Sequence, residues 1–198
     1  MSRIPNTEAR ERILKTAHDF IYRRGFKGAS MDDIAEAAGL KKANLFHYYP
    51  TKEALGLAVF DTATLEARRK MGGELSTANP NPVKIIAAMF NEAALRMKKS
   101  SCVGGCFIGN IAQELSDHNE NLRRKVADYL QSWGDDLTQM FERAEAHGYF
   151  KKGFKARESA EAIISLFEGA MLLCKAHKKV TPLVSARNMA TSYLLSLR

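Results

Sequence analysis

Apolar residues recur along most of this chain at the three- and four-residue spacing of amphipathic helices. Ile13, Leu14, Ala17, Phe20 and Ile21 form the first such stripe, and no stretch shows a persuasive two-residue alternation. The pattern predicts an all-α protein of about nine helices, because short apolar-striped helices pack together as a bundle. The predicted helices cover approximately residues 8–24, 31–38, 42–49, 51–70, 83–99, 106–116, 120–147, 157–178 and 183–197.

Residues 29–55 predict a helix-turn-helix. Ser30 is placed to cap a short helix with Asp33 in its positive first turn, and Gly39 follows where the end of the helix requires a left-handed backbone. A second short helix follows and ends before Pro50. Such a pair can present the outer face of its second helix to the major groove of DNA. A helical hairpin that merely packs is the alternative for the two helices taken alone.

The second short helix carries side chains suited to DNA. Asn44 can pair with adenine, Lys42 can donate to guanine or to a phosphate, and Ala43 is small enough to contact a thymine methyl. Tyr48 and Lys52 lie further along, where they would contact the phosphate backbone. The candidate DNA-binding set is Ser30, Met31, Lys42, Ala43, Asn44, Phe46, His47, Tyr48 and Lys52.

This stretch resembles the DNA-binding domain of the TetR family of transcriptional regulators. The matching positions are Asp33 to Gly39, Lys42, Leu45, Phe46, His47, Tyr48, Tyr49, Lys52 and Glu53. Lys41 stands where the family more often has a serine or threonine cap, and Phe46 stands where a tyrosine is commoner. We therefore predict a helix-turn-helix domain in residues 1–52 and a ligand-binding and dimerisation helical domain in residues 53–198. The clearest break within the second domain is Gly72-Gly73 with residues 76–82.

The last two predicted helices carry more apolar surface than one face of a bundle requires. The residues concerned are Ala160, Ile163, Ile164, Phe167, Ala170, Met171, Met189, Ala190, Tyr193, Leu194 and Leu197. The resemblance implies that these helices meet those of a second copy. A homodimer would also hold two recognition helices one helical turn apart on a palindromic DNA operator. The alternative is that these faces complete the core of a single chain.

Charge and composition add modest support for a DNA partner. The net charge is +8, but residues 1–56 contain 10 basic and 7 acidic side chains, so the helix-turn-helix motif carries the argument. No apolar run approaches the roughly 20 residues that cross a bilayer, and the first residues lack the apolar core of a signal peptide. The three cysteines favour reduced thiols. We expect a cytoplasmic protein that does not associate with membranes.

A cysteine near the middle of the chain is the candidate regulatory residue. Gly104 and Gly105 place Cys106 near the start of a helix, where the helix dipole favours a reactive thiolate. Cys102 or Cys174 would then resolve the oxidised or alkylated thiol. An inert buried cysteine is the alternative, since free cysteine is often a core residue.

The sequence around Cys106 and Lys175 resembles the NemR-like subgroup of the TetR family, repressors that respond to quinones, acrylate and drugs. The resemblance implies that these two side chains approach each other. The candidate effector set is Cys106, Lys175, Asn110, Phe90, Trp133, Phe167 and Met171. The large apolar members suit a hydrophobic effector, and they suit a plain core equally well.

Together these features predict a homodimeric repressor that a small molecule or an electrophile releases from its operator, with no cofactor and no metal. An architectural DNA binder would not need a separate helical half. An enzyme is the remaining alternative, in which Cys106 and either His118 or His177 would form a catalytic dyad. The five histidines do not lie beside a nucleophile at a recognisable spacing, so we predict no enzyme.

Overall fold

The structure, a computed structural model, describes residues 7–75 and 80–198. Within these ranges it contains helices and no strand, which confirms the all-α prediction. The nine helices of the described residues are α1 Thr7–Gly28, α2 Met31–Ala37, α3 Lys42–Tyr48, α4 Lys52–Leu75, α5 Pro82–Lys99, α6 Phe107–Leu115, α7 Glu120–Ala146, α8 Ala156–His177 and α9 Thr181–Ser196.

Local capping sets the boundaries of the short helices, as the sequence predicts. The Ser30 hydroxyl accepts a hydrogen bond from the Asp33 N–H at 3.0 Å and begins α2. Gly39 follows α2 with a φ of 67°, a left-handed conformation that favours glycine. The Thr51 hydroxyl accepts from the Ala54 N–H at 3.0 Å and begins α4.

Two predicted breaks differ from the structure, and a third is present. Gly25 interrupts α1 at the expected end, with a non-helical φ of 79° and ψ of 166°, and the helix resumes after it up to Gly28. Gly72-Gly73 lies inside α4 instead of ending it. Thr181-Pro182 begins α9 instead of marking a stop, because proline is tolerated in the first turn of a helix. The predicted linker residues 76–79 lie outside the described residues.

The chain divides into two compact units. The first contains residues up to Arg68 together with Asn110–Val126, and the second contains Arg69–Gly109 together with Ala127–Arg198. In the first unit α2 packs against both α1 and α3. Its core includes the buried side chains of Ile13, Ala17, Ile21, Ile34 and Leu45. The predicted domain boundary between residues 52 and 53 stays a prediction.

In the second unit α9 packs against α5 and α8. Leu183 and Leu194 are fully buried on α9, and Arg187 Nη1 donates to Asn91 Oδ1 on α5 at 2.7 Å. The apolar stripe of α8 also faces this core. Its buried members are Ala160, Ile163, Phe167, Ala170 and Met171. The chain itself covers these five side chains, whereas Ile164 of the same stripe is half-buried, and the dimer interface stays a prediction.

A carboxylate from α6 closes the end of α1 inside the first unit. Glu114 Oε2 accepts from the Phe26 N–H at 2.7 Å, and Glu114 Oε1 accepts from the Lys27 N–H at 2.6 Å. Both N–H groups follow Gly25, where a Cβ would lie 2.9 Å from Glu114 Oε2. Lys52 Nζ completes the group by donating to the Lys27 carbonyl at 3.1 Å. The glycine thus gives the carboxylate room to approach the backbone.

Residues 110–126 also contact α4 at two further points. Glu53 Oε1 accepts from the side-chain amides of Asn119 and Asn121, each at 3.0 Å, and these bonds lower the pKa of Glu53. Lys125 Nζ pairs with Asp61 Oδ1 at 2.5 Å. Residues 110–126 therefore contact both α1 and α4 and form part of the first unit.

We expect Glu114→Ala to loosen the end of α1. The variant removes both acceptors from Phe26 and Lys27, and hydrogen bonds to charged groups contribute about 1–3 kcal/mol each, less where water can replace them. Amide hydrogen exchange at these two residues should accelerate, and the midpoint of urea unfolding should fall. Gln113→Ala, a truncation of an exposed neighbour on α6, is the matched control. Unchanged protection of both amides would contradict the assigned role of Glu114.

Candidate nucleic-acid interface and ligand site

Helix α3 separates buried from exposed side chains as the sequence predicts. Leu45 is fully buried, and the buried Tyr49 follows the helix with its hydroxyl accepting from Arg10 Nε at 3.2 Å. The exposed residues of the helix are Lys42, Ala43, Asn44, Phe46 and His47. This face is anchored from below by apolar packing, which is the arrangement that a groove-reading helix requires.

The exposed face of α3 carries its own charge contacts. Lys42 Nζ pairs with Asp32 Oδ1 at 2.8 Å and lies 6.0 Å from the centre of the Phe46 ring. An exposed pair of this kind is weak, about 0–1 kcal/mol, so a phosphate can replace the carboxylate. Tyr48 is half-buried, with its ring edge-on to His47 at 6.2 Å between centroids. The face therefore has a packed aromatic edge at Tyr48 and an ion pair at Lys42 that a phosphate could replace.

Three residues of the predicted DNA-binding set contribute to the packing and hydrogen bonding of the unit. Met31 is buried at the start of α2, which disfavours a DNA contact, and its assignment as one stays a prediction. The Ser30 hydroxyl is used by the helix cap. The Lys52 ammonium donates to the Lys27 carbonyl and lies 5.0 Å above the Phe26 ring. Burial lowers the pKa of Lys52, and the Glu114 carboxylate opposes part of that shift.

An aromatic cluster in the second unit gathers most of the predicted effector residues. The Phe167 ring is edge-on to Phe90 at 5.4 Å and to Trp133 at 5.5 Å between centroids. All three are buried, as is Met171 one turn further along α8. Trp133 Nε1 is a buried donor without a hydrogen-bond partner in the described part of the chain. The cluster is apolar except for this unused donor.

Cys106 lies directly before α6, in surroundings that favour its protonated thiol. The Gly109 N–H donates to Cys106 Sγ at 3.5 Å, as expected at a helix N-terminus. Burial and the neighbouring Glu168 carboxylate, to which the thiol donates, nevertheless raise the pKa of Cys106 well above its ordinary value. These surroundings disfavour the thiolate predicted from the helix dipole, because desolvation and a like charge outweigh the dipole, and the regulatory role of Cys106 stays a prediction.

Glu168 is a neighbour of Cys106 that the sequence analysis did not single out. A Cβ built at Gly109 would lie 2.3 Å from Glu168 Oε2, so the glycine makes room for the carboxyl group beside Cys106. Burial raises the pKa of Glu168, and the hydrogen bond from Cys106 opposes part of that shift. The available signal was an acidic residue directly after Phe167, within an otherwise apolar stretch of α8.

The other predicted regulatory residues are arranged differently. Lys175 is half-buried on α8 and lies about two turns after Glu168. Glu168 is the α8 residue that is hydrogen-bonded to Cys106. Asn110 is half-buried on α6 and belongs to the first unit. Burial raises the pKa of Cys174, and its electrostatic neighbour is Cys102. Cys174 on α8 therefore has Cys102 as its neighbouring cysteine.

Neither a metal centre nor a membrane span is found in the described ranges. Residues 7–75 and 80–198 contain no group of three His, Cys, Asp or Glu side chains able to hold a metal ion. None of the helices described is both long and apolar enough to cross a bilayer.

Comparison with known protein families identifies both parts of the chain. Residues 82–189, about half of the chain, match the family described as transcriptional regulator LmrA/YxaF-like, C-terminal domain. Residues 13–59 match the family described as bacterial regulatory proteins, tetR family. The match over residues 13–59 contains α2 and α3. The match over residues 82–189 contains Phe90, Cys106, Trp133, Phe167 and Glu168.

Similarity to individual proteins extends over most of the chain. The chain is 24% identical over 177 residues to the transcriptional regulator AcuR of Cereibacter sphaeroides, covering 89% of this chain and 81% of that protein. It is 22% identical over 186 residues to the HTH-type transcriptional repressor NemR of Escherichia coli K12, covering 94% of each. A crystal structure of a TetR transcriptional regulator from Chloroflexus aurantiacus superposes with a TM-score of 0.83 and 29% identity, covering 95% of this chain and 94% of that one.

We expect the Cys106 thiol to react slowly with alkylating agents. Only the thiolate attacks iodoacetamide, and a raised pKa leaves little thiolate near neutral pH. Alkylation of Cys106, followed by mass spectrometry of its peptide, should be at least about tenfold slower than that of glutathione and should still be rising between about pH 7 and pH 9.

A pair of variants and the pH dependence of the rate test this prediction further. Glu168→Gln removes the neighbouring negative charge and should accelerate alkylation of Cys106, whereas Glu158→Gln, an exposed acid on the same helix, should not. A reaction rate that reaches a plateau below about pH 8 would show a thiolate at neutral pH and contradict the prediction.

Proposed function

Because this chain belongs to the TetR family of bacterial transcriptional regulators, we propose that it is a homodimeric repressor that leaves its operator when a small molecule binds its second unit. The observation that carries the proposal is the exposed polar face of α3, held over the buried Leu45 and Tyr49. A dimer of such faces suits a palindromic operator. The family resemblance predicted from the sequence is confirmed, and with it the role of a DNA-binding regulator.

The proposed DNA contacts lie on α3. Asn44 is the base-reading residue, because its exposed amide can both donate to and accept from adenine. Lys42 and His47 flank it on the exposed face, and Ala43 leaves room for the backbone to approach a base pair. Tyr48 at the edge of the face contacts phosphate through its hydroxyl. With a DNA partner, the protein acts in the cytoplasm.

The proposed dimer interface uses the exposed apolar residues of α8 and α9. On α8 these are Leu172 and Leu173, at 49% and 46% exposure, which lie beyond the buried stripe. On α9 they include Met189 at 65% and Tyr193 at 38%. Large apolar side chains exposed together on neighbouring helices usually have a partner. A second copy is the partner that a palindromic operator requires.

The effector is proposed to bind noncovalently at the cluster of Phe90, Trp133 and Phe167. For release from DNA, it must bind the released conformation better than the DNA-bound one, typically by about 1–3 kcal/mol. The alternative, release by an electrophile through Cys106, requires a thiolate at this position. The raised pKa of Cys106 argues against that route. The relatives named above are regulators, and we propose no catalytic role for the chain.

We expect two substitutions on α3 to affect DNA binding differently. Asn44→Ala should weaken binding to the operator by about tenfold to a hundredfold and relax the base preference at one position. Tyr48→Phe should weaken binding to all sequences alike by a few-fold, since it removes one phosphate contact. Fluorescence anisotropy with the DNA upstream of the protein's own gene and with single-base variants would measure both effects.

The matched control for Asn44→Ala is Gln139→Ala, which removes an exposed amide from α7. This variant should bind DNA as the unmodified protein does. If Asn44→Ala left both the affinity and the base preference unchanged, α3 would not be the recognition helix.

We expect Met189→Asp to dissociate the dimer. The substitution places a charge within the proposed apolar interface, where its desolvation is unfavourable. Analytical ultracentrifugation at micromolar concentration should show a monomer, and operator affinity should fall at least tenfold because each monomer contacts a single half-site. Leu95→Asp, at an equally exposed leucine on α5 with 67% exposure, should remain a dimer. Dimers in both variants would place the interface elsewhere.

A further inference from the structure

Glu168 is half-buried, and the chain satisfies only one of its two carboxyl oxygens. The Cys106 thiol donates to this carboxyl group. Within the described ranges Oε1 is itself buried and has no hydrogen-bond partner, so we assign the thiol bond to Oε2, the oxygen that lies nearest to Gly109. The hydrogen-bonding capacity of Oε1 is therefore unused by the described part of the chain.

An unpaired buried acceptor is unfavourable. It loses its hydrogen bonds to water on folding, and this loss is larger when the group is charged. Native proteins usually pair such atoms, so an exception calls for a functional explanation. Burial also raises the pKa of this carboxyl group, which is the response of an acid whose charge has no cation nearby. A bound group that donates a hydrogen bond would relieve both effects.

The surroundings of Glu168 define the rest of such a ligand. Phe167 precedes Glu168 on α8, and its ring contacts Phe90 and Trp133 edge-on at 5.4 Å and 5.5 Å between centroids. Trp133 Nε1 is a second buried polar atom without a partner in the described part of the chain. A ligand for this region therefore has an apolar body that fits beside aromatic rings and a donor that reaches the carboxyl group.

A metal ion does not fit these residues. The described part of the chain offers no cluster of three ligating side chains, and beside Glu168 the nearest soft ligand, Cys106, is held as a neutral thiol. An organic ammonium needs a single carboxylate and gains the stronger, charge-assisted hydrogen bond. The aromatic ring of Phe167, the residue before Glu168, would also favour a cation over a neutral donor of the same shape if the ligand contacts that ring.

We propose that Glu168 is the polar anchor of a binding site for an amphipathic amine, whose ammonium group donates to Oε1 and whose apolar body contacts Phe167 and Trp133. The inference names the chemical class of the effector, and it rests on the proposed function of a ligand-responsive repressor. It gives Cys106 a positioning role, since the thiol holds the second oxygen of the carboxyl group. It also explains why Gly109 lacks a side chain that would displace the carboxyl group.

A matched pair of probes tests the inference. The purified full-length protein is titrated with 4-phenylbutylamine and with 4-phenylbutan-1-ol, which differ in the terminal ammonium or hydroxyl group. Fluorescence of Trp133 reports binding without interference, because it is the single tryptophan of the chain. The amine should bind at least about tenfold more tightly than the alcohol, as expected for a charge-assisted bond compared with a neutral one.

Three variants identify the anchor. Glu168→Gln should reduce the affinity for the amine to that for the alcohol and leave the alcohol unchanged. Gly109→Ala should also weaken the amine selectively, because its Cβ meets Glu168 Oε2, and it provides an independent test if the Gln variant folds poorly. Glu158→Gln, which removes an exposed acid from the same helix, should keep the preference for the amine.

The inference is overturned if amine and alcohol bind equally, if neither binds, or if Glu168→Gln keeps the preference. Release from operator DNA separates this failure from failure of the proposed function. Release by the alcohol but not by the amine would overturn the amine site and leave the repressor intact. A protein that binds the amine through Glu168 but binds no operator DNA would support the site and overturn the repressor.

Discussion

The first unit depends on one carboxylate from outside the short N-terminal helices. Glu114 accepts the backbone N–H groups of Phe26 and Lys27, at the point where Gly25 interrupts α1. A break in a helix leaves N–H groups that need other acceptors, and a charged acceptor is an effective one. The break in α1 is therefore stabilised by a residue of α6, about 90 positions further along the chain.

The features that the sequence predicted correctly are determined by neighbours a few positions away. Ser30 caps α2 through the N–H three residues later, and Gly39 takes the left-handed conformation that follows the helix. The helical period places Leu45 inside and Asn44 outside whichever partners surround them. The number and approximate extent of the helices are predictable for the same reason.

The expectations that the structure does not favour concern properties set by residues distant in the chain. Met31 lies at a position that suits DNA, but the packing of α2 against α1 and α3 buries it. Cys106 has the helix N-terminus that lowers a thiol pKa, yet burial and Glu168 on α8 raise it. The α8 stripe is apolar enough for a dimer, yet its own chain covers most of it. The local sequence pattern indicates which roles suit a residue, and its tertiary contacts determine its burial and its pKa.

The pairing of Cys106 with Glu168 bears on how the second unit is regulated. A thiol that is to be attacked or oxidised needs a stabilised thiolate, and therefore a cation or bare N–H groups around it. Here the nearest charge is a carboxylate, which stabilises the protonated thiol and receives its hydrogen bond. Glu168 Oε1 has no partner in the described part of the chain. The local electrostatics thus disfavour covalent chemistry at sulfur, and they are compatible with the reversible binding that we propose at Oε1.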